Sequence, residues 1–179
     1  MRLTIKRALI SVSDKSGLEE LAKTLSRFGV EILATGGTAE KLKRAGVNYR
    51  AIETFTGNPE AFDGRMKTLS FKLESALLFD RSNSSHVSEA EKLSIEPIDL
   101  VVCNFYPFEQ AVLKGSTEEE LVEEIDIGGP TMVRAAAKNF KSVLVLTDPA
   151  DYEEVLNEMR HLSGQVTLET RKKNDAQGF

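Results

Sequence analysis

A single cysteine, Cys103, among 179 residues leaves no partner for an intrachain disulfide and no ligand set for a multi-cysteine zinc site. That usage fits a reducing compartment, so a cytoplasmic location is expected. Positive charge is also in short supply, with 23 Lys and Arg against 28 Asp and Glu and a formal net charge of -5. Such a balance argues against a nucleic-acid or membrane-surface partner, although an acidic chain can keep a local basic pocket for an anion. Long apolar runs are missing as well. The stretch that follows Met1 to Arg7 turns polar at Asp14, too soon for a signal peptide or a membrane span. Histidine is confined to His86 and His161, and neither stands beside Cys103 as the base of a thiol nucleophile would, so Cys103 reads as a core residue.

What is present suits one compact α/β domain: 41% of the residues are hydrophobic, and short β-branched runs alternate with amphipathic segments. The expected architecture is a three-layer, open and mostly parallel sheet with helices on both faces. Strands are expected at 8–12, 30–34, 49–52, 99–105 and 142–146. Helices are expected at 17–28, from Thr35 to Ala45, at 72–79, 117–125 and from Gly128, and from Asp148 to Leu162. Residues 53–64 read as an irregular loop able to reach over a site, and 80–88, rich in Ser and Asn, as a mobile excursion. The domain is placed at 1–162, with 163–179 a polar tail whose helix needs a partner to be ordered. There is no internal repeat and no linker between two cores.

The most informative stretch runs from Ile125-Asp126-Ile127-Gly128-Gly129-Pro130 to Lys138-Asn139. Two glycines allow close approach of a ligand to the backbone, Pro130 suits a first helical turn, and the free N–H groups there attract oxygen atoms. An ordinary capped helix with a solvated lysine has the same spacing. Three strand ends add polar groups: Ser11-Val12-Ser13-Asp14-Lys15, Thr35-Gly36-Gly37-Thr38 and Asn104-Phe105-Tyr106. In an open α/β sheet such ends converge on one crevice, where hydroxyls, glycine N–H groups and a lysine could cradle a phosphate. Taken singly, each of these is a cap or a turn. Gly64-Arg65-Met66-Lys67-Thr68 is by itself a solvated basic patch, and Tyr106 could pack or reach a site equally well.

In this order, these motifs resemble the IMP cyclohydrolase domain of the PurH family, over roughly residues 7 to 162. The resemblance implies a methylglyoxal-synthase-like fold and closure of the formamido-imidazole nucleotide FAICAR to IMP with loss of water, in purine biosynthesis. It implies no metal and no organic cofactor. It assigns catalysis to Lys67, Tyr106, Asp126 and Lys138. Ser11, Ser13, Lys15, Gly36, Gly37, Thr38, Arg65 and Thr68 match positions that hold the nucleotide, chiefly its phosphate, and Asn104 and Gly128 match positions near the base. In that scheme Lys138, oriented by Asp126, shares proton transfer with Tyr106, while Lys67 stabilises developing oxygen charge. The family also implies a homodimer in which one subunit can complete the other's pocket.

The chain departs from the family at Ser70-Phe71-Lys72-Leu73-Glu74-Ser75-Ala76, where two histidines and two glycines are replaced. The change could reshape the support of Lys67 and Thr68. A second reading therefore keeps the pocket as a purine-nucleotide-binding regulatory or scaffold module and loses the reaction. Bifunctional members continue into a formyltransferase domain, so the chain is expected to be a standalone relative or a fragment, with an AICAR formyltransferase as a separate partner. Methylglyoxal synthase itself fits poorly, because that family's paired Gly-Asp and His-Asp-Pro stretches are missing here.

Overall fold

The computed structural model describes residues 1–105 and 108–176, with the backbone alone at Gln110 and Ala111. A five-stranded sheet, all parallel, forms the middle layer. Its strands are β2 (Arg7–Val12), β3 (Glu31–Ala34), β4 (Arg50–Ala51), β5 (Leu100–Asn104) and β6 (Leu144–Leu146), in the order β4-β3-β2-β5-β6. Two more short strands, β1 (Leu3–Thr4) and β7 (Gln165–Val166), pair antiparallel beside it.

Alternation along β2 sends successive side chains to opposite faces and so builds two cores. Ala8, Ile10 and Val12 pack under α1 (Leu18–Arg27), α2 (Gly36–Arg44) and α9 (Tyr152–His161), where Leu18, Leu21, Leu25, Leu42 and Leu156 are buried. Leu9 packs on the other face with α3 (Ile52–Thr56), α4 (Phe71–Leu78) and α8 (Gly128–Lys138), through Phe55, Leu73, Leu77, Met132 and Val133. The expected three layers are therefore present. No helix among the described residues is long and apolar enough to cross a membrane.

The 80–88 stretch differs from its expectation. It opens α5 (Ser84–Lys92), because Asn83 caps that helix, accepting from the backbone N–H groups of Ser85 and His86, and Asp80 accepts from Ser82. The Ser and Asn content that suggests mobility is here the composition of a helix start. Residues 53–64 likewise begin in α3 before turning irregular. Past Ser163 the chain adds β7 and then α10 (Leu168–Asp175), which packs against β6 with Arg171, Asn174 and Asp175 buried. The partner that this polar helix needs for order is thus the sheet itself.

After β5 the chain leaves the globule. It forms α6 (Phe108–Leu113) and α7 (Glu118–Glu123), the latter with the expected capping box between Thr117 and Glu120. Among the described residues from Phe105 to Ile127, none is buried.

Candidate functional site

The chain runs from β2 outward to β3 and β4, then returns to place β5 on the other side of β2. The sheet reverses direction of growth between β2 and β5, which is where open parallel sheets leave a crevice at their carboxyl ends. Register puts Val12 beside Asn104 across that gap. The Asn104 side chain holds the loop that follows β2: its Oδ1 accepts from the N–H groups of Ser13 (2.7 Å) and Asp14 (2.8 Å), and its Nδ2 donates to the Asp14 carbonyl (2.9 Å).

Above this edge lies a cleft of about 810 Å³, room enough for a mononucleotide. Ser11, Ser13, Lys15, Arg65, Lys67, Thr68, Asn104, Asp126 and Gly128 all line it. Gly36 and Gly37 begin α2 directly below two of its cations. A Cβ at Gly36 would stand 3.0 Å from the Lys67 Nζ, and one at Gly37 would stand 3.8 Å from the Lys15 Nζ. Thr38 is buried and faces inward: its hydroxyl accepts from the Val12 N–H (3.1 Å) and donates to the Val12 carbonyl, which ties α2 to β2.

The Gly128-Gly129 pair has a steric reason. A Cβ at Gly128 would sit 2.2 Å from the Thr68 hydroxyl oxygen, and one at Gly129 would sit 2.2 Å from a carboxylate oxygen of Asp126. Only hydrogen there lets both side chains close over the start of α8. The Asp126 carboxylate also accepts from the Gly129 N–H at 2.8 Å, so it is held by the helix start and still faces the cleft.

Lys138 stands elsewhere. It is at the far end of α8, exposed, in a separate cavity with Glu74, Leu78, Thr131, Arg134 and Phe140. A helix rises about 1.5 Å per residue, so the backbone at Lys138 is roughly 15 Å from that at Gly128, beyond the reach of a lysine side chain. Orientation of Lys138 by Asp126 of the same chain is therefore not what the fold provides. Tyr106 lies outside the described residues.

Acids share the cleft. Lys67 Nζ pairs with a Glu60 oxygen at 2.7 Å, and the Arg65 guanidinium pairs with the Glu123 carboxylate. The hydrogen bond from Arg65 holds the Glu123 carboxyl below the usual carboxylate range. Asp63 and Glu124 line the same cleft. Sequence reasoning missed Glu60 and Glu123; the one hint was acid-rich composition on either side of Arg65 and Lys67. Cys103 is buried, its thiol pushed up to about 12 by burial, which suits a core residue. Among the described residues no cluster of His, Cys, Asp or Glu gathers to hold a metal ion.

Comparison with known proteins agrees with this geometry. The model of the MGS-like domain family matches residues 17–131, and that of the AICARFT/IMPCHase bienzyme matches residues 136–179. The bifunctional purine biosynthesis protein PurH of Ruminiclostridium cellulolyticum is 54% identical over 93% of this chain and 32% of its own length. PurH of Chlorobium phaeobacteroides is 53% identical over 94% of this chain and 32% of its own length. The chain thus spans about a third of the length of these curated relatives. The crystal structure of ForH superposes with a TM-score of 0.85 at 35% identity, covering 97% of this chain and 89% of that one. On these matches the chain belongs to the MGS-like domain family, and PurH proteins are its relatives there.

Proposed function

We propose that the chain is an IMP cyclohydrolase that closes FAICAR to IMP in purine biosynthesis, in the cytoplasm. The observation that carries this reading is the convergence of Lys67, Thr68, Asp126 and Gly128 with Ser11, Ser13, Lys15 and Asn104 on one cleft of mononucleotide size. The phosphate takes the end held by the Ser13 and Lys15 loop, beside Gly37. The base then lies toward Asn104, Asp126 and Gly128.

Ring closure asks for three things. The carboxamide nitrogen bonds to the formyl carbon and loses a proton; the formyl oxygen gains charge and takes up a proton to become a hydroxyl; the formamido nitrogen then loses its N–H proton as the ring C=N bond forms, and the hydroxyl, taking a second proton, leaves as water. Lys67 stabilises the oxygen as it becomes negative, and Asp126 handles a proton at the nitrogen, with Tyr106 as a further proton carrier.

A homodimer accounts for Lys138, which a second copy brings to the cleft. Support comes from two surfaces. The 105–127 arm exposes Phe105, Phe108, Val112, Leu113, Val122, Ile125 and Ile127, an apolar load that needs cover. Its α7 is acidic, while the far end of α8 and the turn after it carry Arg134, Lys138 and Lys141. Two copies related by a two-fold axis would match acid to base twice.

The test is ultraviolet absorbance during incubation with FAICAR, which changes as the purine ring closes. Turnover supports the enzyme. Tight binding of IMP without turnover would support the nucleotide-binding module instead.

A further inference from the structure

The loop between α3 and α4 folds back on itself. Ala61 and Met66 form an antiparallel bridge, with the Ala61 N–H donating to the Met66 carbonyl (2.9 Å) and the Met66 N–H to the Ala61 carbonyl (3.1 Å). Between them Phe62, Asp63 and Gly64 all take positive φ values (56°, 55° and 94°). Two consecutive non-glycine residues in that region are a local strain that the loop must repay through what it places.

What it places is Glu60. A Cβ at Gly64 would stand 3.0 Å from one Glu60 carboxylate oxygen, so the glycine leaves the gap into which that carboxylate backs. The other oxygen holds Lys67 Nζ at 2.7 Å, and the same Nζ stands over the bare Cα of Gly36. The ammonium is thus fixed between a carboxylate from its own loop and a helix start from across the cleft. Its side chain is 24% exposed, against 63% for Arg65 in the neighbouring pair with Glu123. An incoming anion can displace Glu123 from the exposed Arg65 at little cost; the more enclosed pair stays.

We propose that Glu60 is a positioning residue that sets the Lys67 ammonium at the point where the formyl oxygen gains charge. This rests on the ring-closing reading of the cleft. A lysine stem has four rotatable bonds, and its free ammonium would sample a wide volume; holding it in advance removes that search from the barrier. The carboxylate stays out of the reaction itself.

The test compares Glu60→Ala, Glu60→Gln and Glu60→Asp in the full chain. For FAICAR closure, Glu60→Ala is expected to lower kcat about tenfold or more while KM changes little, with partial recovery in Glu60→Asp. In a Lys67→Ala background the same substitution is expected to cost nothing further, because the two residues act as one unit. A readout independent of turnover is limited acetylation with acetic anhydride, read by mass spectrometry with the exposed Lys43 as internal standard. Released from Glu60, Lys67 is expected to label several-fold faster in Glu60→Ala. Unchanged Lys67 labelling, or an equal activity loss with and without Lys67, overturns the proposal. If the wild-type chain closes no ring, the reaction assigned to the cleft falls, and the labelling still decides whether Glu60 places Lys67.

Discussion

The two edges of the parallel sheet hold similar charged residues to opposite ends. At the amino edge Arg7 and Asp99 have several partners each. Arg7 donates to Glu31 (2.5 Å), to Glu96 (2.7 Å) and to the Pro97 carbonyl (2.8 Å), and lies over the Phe55 ring. Buried Asp99 accepts from the Lys6 and Arg7 N–H groups and from Arg81 (2.6 Å). At the carboxyl edge, among the described residues, Lys67 has one carboxylate partner, Glu60, and Arg65 has one, Glu123. A closed network locks the first set into the fold, whereas single partners leave the second set able to meet a ligand. Ion pairs alone do not separate structure from function; the number of partners and their burial do.

The sharpest way to break this contrast is to exchange effects between the edges. Lys67→Ala is expected to lower FAICAR closure about 100-fold or more while the unfolding midpoint barely moves. Asp99→Ala is expected to do the reverse. It leaves two backbone donors and Arg81 without their acceptor, at a cost of about 3–5 kcal/mol in chemical denaturation, with kcat per folded molecule unchanged. If Asp99→Ala left stability intact, or if Lys67→Ala unfolded the chain, the division between the two edges would be wrong.

Next in size is the contrast within α8. Its start belongs to the cleft and its end does not, so Lys67→Ala and Lys138→Ala should each keep only about 1% of activity alone. Mixed after unfolding and refolding together, they should recover about a quarter of wild-type activity, because half the dimers regain one intact site of two. No recovery would return Lys138 to a solvated surface role. Gly129→Ala probes the other end. The added methyl must push the Asp126 carboxylate aside, and activity is expected to drop about tenfold with the fold retained.

A smaller effect concerns stability against pH. The Asp175 carboxyl is pushed up to about 7 by burial, with Arg171 pulling the other way; Glu158 is the other charged group near Arg171. The folded chain then keeps a proton that the unfolded chain gives up near its ordinary value of 3.8. Stability from this group is greatest below about pH 4, falls as pH rises to about 7 and is flat above that. Asp175→Asn should remove that slope and raise stability at pH 8 by about 1–3 kcal/mol in denaturant titrations. An unchanged slope would show that the carboxylate is solvated in the folded chain.

Much of the sheet was legible in the sequence because buried parallel strands are short continuous apolar runs, and β2, β3, β5 and β6 each have one. Glycines at 29 and 46 marked where α1 and α2 stop. What escaped was set by hydrogen bonds between near neighbours or by pairing across long separations. Asn83 makes a Ser-rich stretch into a helix start, and β1 meets β7 only after 160 residues of intervening chain order the two ends.

For the site, strand-end position predicted that Ser11, Ser13, Lys15 and Asn104 would converge, the Gly-Gly helix start pointed to Asp126, and family resemblance supplied the role of Lys67. Glu60 was illegible because three successive left-handed residues, which no local pattern announces, aim it at Lys67. Lys138 shows the opposite failing. Twelve positions along a helix already implied separation from Asp126, and spacing in sequence stood in for distance in space.

The most direct measurement is diffraction from crystals of the chain grown with IMP. The account predicts the phosphate at the Ser13 and Lys15 loop beside Gly37, and the purine between Asn104, Asp126 and Gly128, with Lys67 still paired to Glu60. Nucleotide density seated instead in the cavity of Lys138 and Glu74, or at the amino edge near Arg50, would contradict it.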